Sequence, residues 1–259
     1  MALHQTYNAT DIHQIWKDAY HPGGAQASFD DQVYDWMFHT VQLPAGKWID
    51  SGCGTGDLCF RLWSHGCQVL GVDISAKAIE AARSNAARHP ECAAQVRFEQ
   101  SSLEDLSPAV QGEHVHCRGV FMHIPDWSKA LANLATRVKP NGYFVVFESN
   151  ATSVEGFIVR LMRPFRKNRS ELKKTPAGWE FWSEYQGAPF LVRMFHLDAI
   201  EKEMEKAGLH LVKQRSLFVV DPLRVPAAIR PLMARINHLW FNMNLPFASG
   251  VIQIYQRKA

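Results

Sequence analysis

Apolar positions along this chain follow a helical spacing first and short strand-like runs afterwards. Residues 11–20 put Ile12, Ile15, Trp16 and Ala19 on one helical face, and His21-Pro22-Gly23-Gly24 ends that helix. Ser28, with Asp31 beyond it, predicts the cap of a second amphipathic helix built on Phe29, Val33, Trp36, Met37 and Val41. Leu43-Pro44-Ala45-Gly46 reads as a turn, and from Lys47 the pattern changes. Lys47 to Asp50, Gln68 to Asp73, Gln95 to Gln100, His114 to Val120 and Tyr143 to Glu148 read as strands. Between them, helical spacing recurs from Asp57 to Ser64, from Ser75 to about His89, and from Asp126 to Val138. Strands alternating with helices predict an α/β fold, a doubly wound, mostly parallel sheet covered on both faces.

Beyond Glu148 the pattern loosens. Residues 151–195 show no clean period. A basic cluster, Arg160, Arg163, Arg166, Lys167, Arg169, Lys173 and Lys174, precedes an aromatic group, Trp179, Phe181, Trp182 and Tyr185. Leu197, Ile200, Met204 and Ala207 restore a helix that Gly208 ends. Two late strands, 209–220 and 250–258, flank a Pro-rich helical stretch over 221–247. No internal repeat or low-complexity tract interrupts this order.

Composition adjusts the picture only slightly. A chain of 259 residues, 47% apolar and 20% charged, fits one soluble domain with insertions. A net charge of +3 does not point to nucleic acid. Cysteines at 53, 59, 67, 92 and 117 are odd in number and form no CxxC pair, so neither a disulfide framework nor a zinc site is expected. A reduced cytoplasmic setting follows. The N-terminus carries no signal-peptide pattern, and no apolar run reaches the roughly 20 residues that span a bilayer.

The candidate chemistry centres on KWIDSGCGTGD, residues 47–57. Three glycines directly after a strand imply a ligand that the backbone approaches closely. A dinucleotide fingerprint would put its third glycine at residue 57, which is Asp57. An acid there suits the helix N-terminus and competes with a docked pyrophosphate, which argues against an NAD-linked dehydrogenase. Asp73, ending the second strand, suits the hydroxyls of a ribose, and Asp50 is poised near a cationic group. Ribose plus a cationic amine without phosphate describes S-adenosylmethionine.

DSGCGTG, GVDIS, a third strand followed by SSLEDL, and HVHCRGVFMHIPDW resemble the successive motifs of the class I S-adenosylmethionine-dependent methyltransferases of the small-molecule type. The resemblance covers residues 45–150, and the helix and strands at 196–219 and 248–258 are similar to the family's reversed final hairpin. It implies a seven-stranded sheet in a single domain, with an N-terminal helical cap over 1–44, a cofactor-binding core over 45–150 and substrate-cap insertions at 151–195 and 221–247. Carried over by position, Asp50, Gly52, Cys53, Gly54 and Gly56 would hold the methionine portion, Asp73 the ribose, and Ile74, Ser102 and Leu103 the adenine. Many members carry Asp where Ser102 stands, and a hydroxyl accepts less strongly than a carboxylate. Backbone carbonyls at Cys117 and Arg118 would meet the methionine ammonium.

Methyl transfer from a sulfonium needs alignment and dryness, and positioning alone can supply up to roughly 7–11 kcal/mol. A general base adds about 10²–10⁴-fold where the acceptor is a hydroxyl or an activated carbon. His123 is the first candidate for that base, and Glu148, facing the same cleft, could orient the acceptor; each has a structural alternative, His123 packing under the adenine or bonding a backbone carbonyl, Glu148 capping the next loop. His196, His4 and His13 are weaker candidates. Trp179, Trp182 and Tyr185 form either a substrate wall, with His196, or a satellite core. The basic cluster is a solvated face, a dock for an acidic group, or a membrane-touching segment interleaved with Leu161, Met162 and Phe165. No metal is expected. His-Ile-Pro-Asp stands where a nucleic-acid adenine methyltransferase shows Asn/Asp-Pro-Pro-Tyr/Phe, so DNA base methylation is set aside. The expected function is methyl transfer to a small or medium-sized acceptor at O, N or C, an acidic or amphipathic metabolite; the other reading is a non-catalytic sensor of the same cofactor or of S-adenosylhomocysteine. No stable membrane insertion is expected, and a homodimer is left open.

Overall fold

The computed structural model of the protein describes residues 24–42, 46–162, 171–221 and 224–259. The helix expected at 11–20, His4 and His13, and the basic residues 163, 166, 167 and 169 lie outside the described residues. The first described helix, α1, spans Gly24–Thr40. It begins before Ser28, so that residue is not its cap; Ala25, Gln26 and Ala27 are good helix formers and let the helix extend upstream. Phe29, Val33, Met37 and Val41 form its buried stripe, as their spacing predicts.

From there the chain alternates: β1 (Lys47–Ser51), α2 (Asp57–Ser64), β2 (Gln68–Asp73), α3 (Ala76–Ala86), β3 (Val96–Gln100), β4 (His114–Arg118), α4 (Trp127–Ala135) and β5 (Tyr143–Ser149). Next come α5 (Val154–Met162), β6 (Glu171–Thr175), β7 (Gly178–Tyr185), β8 (Ala188–Phe195), α6 (Leu197–Lys206), β9 (Leu209–Ser216), α7 (Arg230–Met243) and β10 (Gly250–Arg257). Ser75 and Asp126 cap α3 and α4 by accepting from the Ala78 and Lys129 N–H groups. The expected fourth strand stops early, at Arg118, because Gly119 turns left-handed at φ 63° and a 3-10 turn follows over Phe121–His123. Similarly, β9 ends at Ser216, and among the described residues of the 221–247 stretch only Arg230–Met243 is α-helix.

Seven strands form one sheet in the order β3-β2-β1-β4-β5-β10-β9. All pairs are parallel except those of β10, which runs antiparallel to β5 and β9. The order reverses between β1 and β4, so a crevice opens beyond their carboxyl ends, where open α/β sheets bind ligands. Strand alternation divides the core: Trp48 packs with Phe29 and Ile252 on one face, Ile49 with Leu131 and Phe144 on the other.

Residues 151–195, read as aperiodic, hold α5 and an antiparallel sheet of order β6-β7-β8. The β7–β8 hairpin closes through Gln186 and Gly187, at φ 51° and 78°, the double positive φ that a two-residue hairpin turn needs. Phe181 and Met194 are buried against Ala151 as a small core of its own.

Candidate active site

The loop after β1 is held across the tip of β2. Gly52 and Cys53 N–H groups donate to the Val72 carbonyl at 2.7 and 3.0 Å. Gly52 has φ 73°, and a Cβ there would meet Val120 Cγ2 at 2.2 Å. Gly54, at φ 52°, differs in kind: a Cβ on it would meet nothing within 4 Å, so its bare backbone faces open space. Its N–H donates to Asp73 Oδ2 at 2.9 Å, and Ser75 N–H donates to Oδ1 at 2.8 Å. Two peptide groups thus fix the Asp73 carboxylate at the cavity wall.

That cavity has a volume of about 780 Å³ and lies beyond the carboxyl ends of the central strands. Asp50, Gly52, Cys53, Gly54, Asp73, Ile74, Ser102, Leu103, Arg118, His123 and Glu148 all line it, as the sequence suggested. Six expected site residues do not. Gly56 caps α2 at φ 90° with the Phe98 ring 2.8 Å from where its Cβ would stand, so it serves helix–strand packing. Cys117 alternates to the opposite face of β4 and is buried in the core with Leu131. Trp179 lies under Arg160 and Lys174, and Trp182 Nε1 donates to Glu180 Oε2. Tyr185 packs on Phe190, and His196 precedes α6 without capping it. The insertion reaches the cavity through Phe190 and Val192 of β8, the neighbouring strand of the same hairpin.

Several lining residues were not anticipated: Tyr34, His116, Leu217, Phe218, Asp221 and Arg224. Of these, His116 left a local signal, an imidazole within the strand HVHCR that leads into the crevice. Asp50 and His116 are buried together, with Oδ1 and Nδ1 2.9 Å apart. His116 thus donates from Nδ1, and its buried Nε2 has no hydrogen-bond partner. Arg118 donates to the Tyr34 hydroxyl at 2.7 Å and to Asp30 at 2.9 Å, tying β4 to α1. Burial holds the Tyr34 hydroxyl well above its ordinary range, against the pull of Arg118, so it stays neutral.

Two groups on the cavity wall can move a proton. Glu148 Oε1 accepts from Phe121 N–H at 2.9 Å, while Oε2, also buried, has no hydrogen-bond partner. Burial pushes this carboxyl up to about 8, against the pull of the 120–122 peptide groups and Arg193. His123 Nδ1 donates to the Leu191 carbonyl at 2.7 Å, which makes Nε2 the basic nitrogen of the neutral ring. Its ring packs on Phe190, with centroids 5.1 Å apart. Arg193, itself buried, fastens this turn: it donates to Phe121, Ile124 and Pro125 carbonyls and pairs with Glu180 at 2.8 Å.

The comparisons agree with this geometry. The family described as a methyltransferase domain matches residues 31–214. A ubiquinone biosynthesis O-methyltransferase of Thiobacillus denitrificans is 29% identical over 170 residues, covering 65% of this chain and 70% of that protein. The protein of the same name from Albidiferax ferrireducens is 29% identical over 49% of this chain and 50% of its own length. This chain thus spans about half the length of several of the curated relatives it matches. Magnesium protoporphyrin IX methyltransferase from Synechocystis, solved with bound S-adenosylhomocysteine, shares the fold at a TM-score of 0.67 and 16% identity, over 99% of this chain and 98% of that one. The PH0226 protein of Pyrococcus horikoshii does so at 0.64 and 16%, over 96% and 99%. The chain belongs to the methyltransferase-domain family and is a class I S-adenosylmethionine-dependent methyltransferase.

The residues present fit the cofactor: an open cradle at Gly54, an oriented carboxylate at Asp73, and a cavity with no phosphate-binding glycine at position 57. Asp73→Ala is expected to weaken S-adenosylhomocysteine binding by about 10²-fold, the loss of two charge-assisted hydrogen bonds. Isothermal calorimetry reads this directly, and unchanged affinity removes Asp73 from the ribose site.

Proposed function

We propose that this protein methylates a hydroxyl group on a lipophilic aromatic acceptor, of the kind named for its ubiquinone-biosynthesis relatives. The observation that carries the reading is Glu148, a carboxyl group that lines a largely apolar chamber and whose buried Oε2 has no hydrogen-bond partner. Met122, Phe190, Val192, Leu217 and Phe218 supply apolar and aromatic surface for a flat ring. Bound cofactor supplies an electrophilic methyl on a sulfonium. The chain's own residues align the acceptor oxygen, exclude water and remove the hydroxyl proton, which passes to Glu148 or to His123 Nε2. Residues 45–150 carry the cofactor in this reading, with Asp50, Cys53, Ile74, Ser102, Leu103 and Arg118 around it. The insertions at 151–195 and 221–247 shape the acceptor side through Phe190, Asp221 and Arg224, and Tyr34 closes it from the N-terminal helix. A cytoplasmic setting fits the five free cysteines, all buried.

Incubation with the cofactor and a panel of phenols, catechols, amines and carboxylates tests this. Release of S-adenosylhomocysteine with lipophilic phenols or catechols is expected; turnover with amines alone overturns the hydroxyl assignment. His123→Ala separates two roles: kcat falling at unchanged KM and cofactor affinity marks a base, while joint loss of cofactor affinity marks a packing residue.

A further inference from the structure

Glu148 is not the only polar side chain lining the cavity with an unpaired buried atom; His116 is another. Asp50 and His116 face each other across β1 and β4 as register partners, and both are buried, 3% and 2% exposed. Each Asp50 oxygen already has a partner: Oδ1 accepts from His116 Nδ1 at 2.9 Å and Oδ2 from the Cys59 thiol at 3.3 Å. The carboxylate whose sequence position suggests a cationic neighbour is therefore turned toward an imidazole and a thiol. With Nδ1 committed to Asp50, the neutral His116 ring keeps Nε2 as an acceptor. That atom is buried and makes no hydrogen bond. A buried acceptor left unpaired is costly, so its retention points to a donor that arrives with a ligand.

Position and charge identify the donor. His116 stands on the strand pair whose tips carry the loop over 52–54 and Gly119, with the Phe147 and Tyr34 rings 5.1 and 6.4 Å from its own. Glu148 and His123 are tied instead to the 121–125 turn and to β8, through Phe121 N–H and the Leu191 carbonyl. The Asp50–His116 pair thus belongs to the cofactor end of the cavity. A lone pair on Nε2, with the Asp50 charge behind the ring, repels an anion and attracts a cationic donor. S-adenosylmethionine carries two cations. Its sulfonium has no N–H to give, and its methionine ammonium has three. The cofactor's carboxylate meets a cation of its own at this end: Arg118, next along the same face of β4, also lines the cavity.

We propose that the methionine ammonium of the cofactor donates to Nε2 of His116, so that Asp50 acts on it through the imidazole and not by direct contact. Asp50 holds the ring in the tautomer that presents Nε2 as the acceptor. Because Nε2 is covered, admitting the ammonium requires the Tyr34 or Phe147 ring packed beside it to turn aside. The pairing fixes the amino-acid end of the cofactor and, through it, the direction in which the sulfonium presents its methyl. The inference rests on the cofactor and does not depend on which acceptor is methylated.

Isothermal calorimetry of the full-length protein with three ligands tests this: S-adenosylhomocysteine, its analogue with hydrogen in place of the amine, and methylthioadenosine, which lacks the amino-acid end. The wild type is expected to prefer S-adenosylhomocysteine over the deaminated analogue by about tenfold or more, the worth of a hydrogen bond to a charged group. His116→Asn keeps an N–H for Asp50, removes Nε2 and should lose most of that preference. Its affinity for the deaminated analogue and for methylthioadenosine should stay as in the wild type, which shows that the cofactor site is still folded. Nitrogen NMR of the wild type gives a reading without substitution: the His116 Nε2 resonance should move on adding S-adenosylhomocysteine and hold with the deaminated analogue. Full preference for the amine in His116→Asn overturns the proposal, as does an equal loss for all three ligands, which makes the pair a structural prop. An unmoved resonance overturns it too. So does a fall in kcat at unchanged cofactor affinity, since that makes the pair a base.

Discussion

Replacing Glu148 with glutamine should lower kcat/KM by about 10²–10⁴-fold and, at the same time, make the protein more stable above neutrality. Both effects have one source. The folded protein holds this carboxyl at about 8, and an unfolded chain releases it to the ordinary 4.5. Below 4.5 both states keep the proton and nothing is gained or lost. Between 4.5 and 8 the folded state binds a proton that the unfolded state has lost, so stability falls as pH rises through that window. Above 8 the penalty is constant, on the order of 5 kcal/mol. Glutamine cannot ionise, keeps an acceptor for Phe121 N–H, and so removes the penalty. Urea denaturation should show variant and wild type nearly equal at low pH and the variant more stable at pH 8. In the same variant the acidic limb of the kcat/KM profile, expected near 8 in the wild type, should disappear. Enhanced stability without loss of turnover would make Glu148 a structural acid and take the proton to His123.

Stability given up at the reacting centre is a common feature of functional sites, and this one was partly legible in the sequence. The loop at 52–56 and Asp73 announce themselves because their requirements are local: a left-handed backbone at Gly52 and Gly54, and a carboxylate at a strand tip. His123 and Glu148 follow from position alone, each just beyond or at the end of a strand in the crevice. Of the two readings left open for the aromatic cluster, a wall or a small core of its own, the cavity does not carry the first. Trp179, Trp182 and Tyr185 on β7 are the larger aromatics, yet Phe190 and Val192 on β8 line the cavity. Which strand of a hairpin faces a site is decided by how the hairpin docks, and that depends on contacts far apart in sequence. Likewise Tyr34 reaches the cavity because Arg118, far along the chain, donates to its hydroxyl. The hairpin itself escaped notice because β7 and β8 bury parts of both faces, so the period-2 alternation is blurred.

The residue that docks the hairpin is Arg193, and Arg193→Ala is expected to cost about 3–5 kcal/mol, the range for removing one partner of a buried ion pair. Its guanidinium bonds the Phe121, Ile124 and Pro125 carbonyls as well as Glu180, so alanine orphans three acceptors and a carboxylate together. Although burial pushes Glu180 up, bonds from Trp182 and Arg193 hold it below its ordinary range. That stabilisation is present above the unfolded value and is lost as pH falls through the folded one. Without Arg193 the residual charge keeps the Trp182 bond and the weaker pull of Lys173. Pairing Arg193→Met with Glu180→Gln should therefore recover part of the loss, since the double variant leaves no charge unpaired. Urea denaturation at neutral pH measures each member of the cycle. The turn over 121–125 also carries His123 and presents Phe121 N–H to Glu148, so turnover should fall further than cofactor affinity. A single variant as stable as wild type would show that the hairpin stays docked through Ala151 and Phe195, whose backbones are bonded at 2.7 Å, and that the arginine only fills the gap.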